Sequence, residues 1–201
     1  MAFTLSLGAK APDFRLSGVD GKDTTLADFK KAKVLIVVFN CNHCPAAIGS
    51  EDRMIRLCKD YKARGVQMVA INSNEDKNHP DDSFAKMKER AKEKGFPFPY
   101  LRDETQEAAL AYGALRTPHF YVFDGQRRLC YSGRMDDNPY DGSKVTQNDL
   151  RNALDAVLAG KKPPVELTNP IGCNVKWLGK DAHWMPPEAC DLVPTTPKKG
   201  Q

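Results

Sequence analysis

The sequence predicts an α/β three-layer domain, a mixed central sheet flanked by helices. Three observations carry that expectation. "VLIVVF" (Val34 to Phe39) and "VQMVAINS" (from Val66) are buried-type runs without alternation, the pattern of strands covered on both faces. Between them Met54, Leu57, Cys58 and Tyr61 fall on one helical stripe, so strand, helix and strand follow in order. Farther on, "HFYVFD" and "RLCYSGR" meet across Asp124–Gly125, a hairpin signal.

The opening stretch reads as short strands around a turn at Asp20–Gly21, then a helical turn at Leu26–Phe29. The first long helix runs from Pro45 to about Arg64 and Gly65 closes it. Asp81–Lys94 is a charged helix ended by Gly95, and "FPFPYL" is extended because each proline disfavours helix in the residue before it. Glu104–Tyr112 and Gln147–Leu158 are the remaining helices, ended by Gly113 and Gly160. Past "KKPP" the chain turns proline-rich and weakly periodic. We divide it into a domain over 1–162 and an extension packed on it over 163–201.

With 201 residues the chain is long enough to bury a substantial core. A formal charge of +4 on interspersed acids and bases argues against a nucleic-acid face. The N-terminus shows no signal-peptide pattern, and no apolar run approaches membrane-spanning length, so a cytoplasmic location without membrane association is expected. Six cysteines are too few for a disulfide scaffold. In a reducing compartment, closely spaced cysteines point to catalysis or metal binding.

That places the weight on "NCNHCP". Cys41 and Cys44 lie at the turn from a central strand into a helix, where open α/β sheets place their sites. A reactive cysteine acts as thiolate, and both a helix N-terminus and the intervening His43 favour that charge. Cys41 is expected at the exposed lip as nucleophile, with Cys44 one turn inward as the resolving thiol. Pro45 is tolerated in the first helical turn, where its missing N–H has no helical partner. A zinc-binding structural module is the alternative, with Cys173, His183 and Cys190 as further ligands. Neither a metal nor a cofactor is called for by the redox reading, since electrons pass by exchange with another dithiol.

With this dithiol and "LRTPHFYVFD", the chain resembles the thioredoxin-fold superfamily. Its opening, "LGAKAPDFRLSGVDGKDTTLADFKKAKVLIVVF", is most similar to the redoxin branch, the AhpC/TSA group with the ResA/TlpA-like oxidoreductases. The resemblance spans about residues 5–177 and implies a redoxin-type strand-helix insert between the dithiol and Pro118. It also implies a cis-proline at Pro118 opposite the cysteines, with the Thr117 backbone pairing to a bound substrate chain. The implied activity is thiol–disulfide exchange with a protein disulfide or dithiol, served by an upstream dithiol donor or acceptor. A peroxiredoxin-like peroxide reductase is the alternative within the resemblance, but the Thr of its Thr-x-x-Cys pattern is replaced by Val38 before Cys41 and by Cys41 before Cys44. His43 resembles the C-x-H-C sites of disulfide oxidases and isomerases, a direction at odds with a cytoplasmic reductant. Asn40 stands where many thioredoxins have Trp, and the run Val34–Phe39 lacks their buried carboxylate. Glu75 and Asp124 are the substitutes considered, each more simply a solvated loop acid.

Cys58 and Cys130 are assigned to packing, as is Cys173, although "IGCNVKW" leaves a third exchanging thiol open. Cys190 could pair with Cys173 in an oxidising compartment. His119 reads as a strand-start histidine held by the backbone, and His79 and His183 as surface residues. Trp177 and Trp184 anchor the extension.

Overall fold

The computed structural model describes residues 3–193; the ends of the assigned domain and extension, 1–2 and 194–201, lie outside them. Strand β3 (Val34–Phe39) is the spine of a seven-stranded sheet, because its unbroken run buries side chains on both faces. Helix α1 (Pro45–Lys62) carries the chain back to β4 (Val66–Asn72), which pairs parallel to β3 over its whole length. Strand β5 (Tyr100–Arg102) extends the parallel set, and the antiparallel pair β1 (Arg15–Gly18) and β2 (Asp23–Thr25) continues beyond it. On the other side of β3, β7 (His119–Phe123) and β8 (Leu129–Gly133) pair antiparallel as the expected hairpin.

Alternation along β3 divides the core in two. Ile36 and Val38 point to the layer formed by α1, α2 (Phe84–Lys94) and α4 (Asp149–Leu158), meeting Met54, Leu57 and Leu154. Leu35, Val37 and Phe39 point to the layer of α3 (Glu107–Tyr112) and the C-terminal segment, meeting Tyr112 and Trp177. The helical stripe in α1 buries Met54, Leu57 and Tyr61, while Cys58 is half-buried against Met68. Trp177 stacks edge-on against Phe3 and Trp184.

Three helices start later than the sequence indicates. Residues 80–82 form a separate 3-10 turn and Ser83 caps α2, because Asp82 is drawn inward. Gln106 takes a left-handed conformation before α3, and the Asp103 carboxylate accepts from the Ala108 and Ala109 N–H groups at its start. Asn148 caps α4.

A second, two-stranded sheet was not legible in the sequence. β6 (Arg116–Thr117) pairs antiparallel with β9 (Cys173–Asn174), opposing Thr117 to Cys173. The side chains that fix this segment come from the β4 and α3 loops. Asn74 Oδ1 accepts from Lys176 N at 2.8 Å, and Gln106 bridges Ser73, Lys176 and Leu178. Gly172 lets β9 approach, since a Cβ there would collide with the Thr117 carbonyl.

Among the described residues no helix is long and apolar enough to cross a membrane. Gly172→Ala should destabilise the protein by about 1–3 kcal/mol in chemical denaturation, the range for overpacking. Gly125→Ala, where an added Cβ makes ordinary contact, should change stability by less than about 0.5 kcal/mol. Equal effects of the two substitutions would contradict the tight Gly172–Thr117 approach.

Candidate active site

The register between β3 and β7 assembles the site. Phe39 lies opposite His119, so the cis Thr117–Pro118 peptide arrives beside the exit of β3, where Asn40 and Cys41 follow. Cys44 is the N-cap of α1 with Pro45 at its first turn. Cys41 Sγ lies 3.2 Å from Thr117 Oγ1, and Cys44 Sγ lies 3.1 Å from the Thr117 carbonyl oxygen. Both sulfurs have no solvent exposure. The expected exposed lip at Cys41 is therefore absent: the strand-to-helix turn is roofed by Thr117 and the β9 segment. Thr117 is already paired along its edge, by Cys173 of the same chain.

The electrostatics separate the two thiols. Cys44 is held down to about 4 by hydrogen bonds from the Cys41 thiol, the Ala47 and Cys173 backbone N–H groups and the Cys173 thiol, against the cost of burial. The Cys173 N–H stands 3.3 Å from Cys44 Sγ. The Thr117 carbonyl, which favours a Cys44 thiol, is one acceptor against these several donors. Cys41 moves the other way, pushed up by burial, by its bond to Cys44 and by the nearby Asp82 charge. The reduced pair thus carries one thiolate, on Cys44, where the sequence placed it on Cys41. The physical reason is the donor set: the Cys41 thiol bonds to Cys44, and as the N-cap of α1 Cys44 also receives the Ala47 N–H.

Asp82, which sequence reasoning passed over as part of a charged helix, is the hub of the polar layer. It is buried, and its carboxylate accepts from Asn42 N at 2.6 Å, His43 Nδ1 at 2.5 Å, Asn72 Nδ2 at 3.2 Å and Asn74 Nδ2 at 2.8 Å. His43 is raised above its ordinary 6.5 chiefly by this bond. Ligating atoms of Cys41, His43 and Asp82 lie within 4.8 Å of one another, so the imidazole is close to the Cys41 sulfur. Tyr100 fixes the turn by donating to Asn42 Oδ1 at 2.9 Å. The Asn40 amide is buried with no hydrogen-bond partner among the described residues.

The other candidates sort by place. Glu75 is buried and holds His79, whose ring stacks on His43 at 5.1 Å, so His79 is not a free surface residue. Asp124 accepts from Gln126 N and Arg128 N in the β7–β8 turn, at the far end of β7 from the cysteines. His119 is buried and neutral, pushed down to about 3 by burial, with Leu115 N, Ser132 and Tyr121 as partners. Burial lifts Cys58 to about 12. Among the described residues the zinc reading's ligands do not converge: His183 and Cys190 join no cluster of three, and Cys41, His43 and Asp82 supply fewer than the four groups that close a structural zinc site.

A Redoxin family model matches residues 6–154. The chain belongs to the Redoxin family. As a redoxin it is similar to two solved structures at TM-score 0.83: an uncharacterized conserved protein of Geobacillus kaustophilus, 43% identical over 90% of this chain and 96% of that one, and a hypothetical protein of Sinorhizobium meliloti, 40% identical over 89% and 98%. It is also similar to the thiol-disulfide oxidoreductase ResA of Geobacillus thermodenitrificans, 26% identical over 76% of this chain and 79% of the relative.

The His43–Asp82 pair fixes a pH dependence. The raised His43 contributes stability that is full below 6.5 and lost as pH rises through its folded value. The lowered Asp82 contributes stability that is full above 3.8 and lost as pH falls through its own folded value. NMR titration of wild type should therefore show His43 above 6.5, and Asp82→Asn should bring it down. The stability gap between the two proteins should narrow as pH rises through the His43 transition. An unchanged His43 titration in the variant would refute the pairing.

Proposed function

We propose that this redoxin is a thiol–disulfide oxidoreductase working through Cys41 and Cys44, with the balance set toward oxidising substrate dithiols. The observation that carries the reading is the convergence of hydrogen-bond donors on Cys44 Sγ. A stabilised thiolate stabilises the reduced protein, which raises the reduction potential of the pair.

In the oxidised protein, a substrate thiolate attacks Cys41 Sγ and Cys44 departs as thiolate. The low Cys44 value makes it the better leaving group of the two. The substrate's second thiolate then attacks the substrate sulfur of the mixed disulfide, forming the substrate disulfide and releasing Cys41. Cys41, with its raised value, leaves needing a proton. His43, whose proton affinity the Asp82 bond raises, stands beside Cys41 to supply it. Run in reverse, Cys41 gives its proton to His43, attacks a substrate disulfide, and Cys44 resolves the product. A substrate strand that pairs with Thr117 must first displace β9. Substrates are protein dithiols or disulfides, and a second dithiol–disulfide partner restores the pair.

The test is trapping. Reduced Cys44→Ser mixed with a disulfide-containing peptide should accumulate a mixed disulfide at Cys41, located by mass spectrometry, while wild type turns over and Cys41→Ser falls well below the wild-type rate. Full activity in Cys41→Ser, or no peptide adduct in Cys44→Ser, would overturn the assignment.

A further inference from the structure

The Cys41–Cys44 pair has no solvent exposure, yet exchange requires a sulfur that an outside thiol can reach. One other sulfur meets the pair. Cys173 packs against the Cys41–Cys44 cluster and is only partly buried. Its backbone N–H is 3.3 Å from Cys44 Sγ, which puts its Cα within about 5 Å of that sulfur. The β6–β9 pairing, the Gly172–Thr117 approach and the Asn74 and Gln106 bonds hold it there. Cys190, by contrast, lines an apolar cavity of about 250 Å³ with Phe3, Leu5 and Leu167.

We propose that Cys173 is a third exchange thiol, through which the buried pair communicates with dithiols in solution. The proposal rests on the oxidoreductase reading and deepens it. Starting from the Cys41–Cys44 disulfide, the Cys173 thiolate attacks Cys44 Sγ. The Cys44–Cys173 bond forms, the Cys41–Cys44 bond breaks, and the proton given up by Cys173 ends on Cys41. No electrons enter or leave in this step. A solvent dithiol then attacks Sγ of Cys173, the partly buried residue of the three, and Cys44 departs as thiolate. The donor's second thiol attacks its own sulfur in the mixed disulfide, which frees Cys173 as thiol and releases the donor as a disulfide. The chain has gained two electrons without β9 leaving the Thr117 edge. In the reduced protein burial and the neighbouring Cys44 lift the Cys173 thiol to about 11; once Cys44 is held in a disulfide its charge no longer opposes the Cys173 thiolate.

Oxidation of the full chain in glutathione buffers, followed by peptide mapping of disulfides, tests this. Cys41→Ser should form a stoichiometric Cys44–Cys173 disulfide. Oxidised Cys173→Ser should still hold a Cys41–Cys44 disulfide, but dithiothreitol should reduce it at least ten-fold more slowly than wild type. A Cys41→Ser protein that forms only a glutathione adduct at Cys44, or a Cys173→Ser protein reduced at the wild-type rate, would overturn the role of Cys173 and leave the Cys41–Cys44 reading standing. Wild type that forms no disulfide among these three cysteines would overturn both.

Discussion

A buried sulfur anion needs donors, and the site is organised around supplying them to Cys44. An unpaired charge in an apolar interior would neutralise by binding a proton. Here the first turn of α1 contributes the Ala47 N–H, β9 contributes the Cys173 N–H, and the neighbouring thiols add their own protons. The donors come from two distant parts of the chain, the Cys41–Ala47 turn and Cys173, so the fold must be complete before the thiolate is stable. Sequence-distant features follow from this requirement. The register of β3 against β7 places Thr117 beside the sulfurs, and the extension must return across the sheet to place Cys173.

The same logic governs the second buried charge. Asp82 sits among four donors from the cysteine turn and the end of β4. It holds the 42–43 turn in position and raises the proton affinity of His43 beside Cys41. The two anions thus have opposite effects on the pair. Donors around Cys44 favour its ionisation, and the Asp82 charge disfavours that of Cys41. The outcome is a dithiol with one good leaving group and one sulfur that returns to its protonated form.

Much of this arrangement was legible in the chain itself. The unbroken runs of β3 and β4, the helical stripe of α1 and the Asp124–Gly125 hairpin are local patterns, and each forms where the pattern lies. Cys41 and Cys44 lie against Thr117, the residue before the cis Pro118. What escaped was set by contacts remote in sequence. Asp82 carries no local mark beyond lying in "HPDD" ahead of a helix, since its role depends on Asn42, Asn72 and Asn74. The two residues of β9 are too few for any periodic signal, and Cys173 gains its meaning only from facing Thr117. The ionisation of Cys44 over Cys41 turned on donors from the Cys41 thiol, the first turn of α1 and Cys173, of which only the start of α1, at Pro45, left a local mark.

The most direct test of the account is the thiolate titration of the fully reduced protein, followed by its ultraviolet absorbance in wild type, Cys41→Ser and Cys44→Ser. The account predicts one thiolate per molecule appearing near pH 4, retained when Cys41 is replaced by another hydrogen-bond donor and lost in Cys44→Ser. A low-pH thiolate that survives Cys44→Ser and disappears in Cys41→Ser would contradict it.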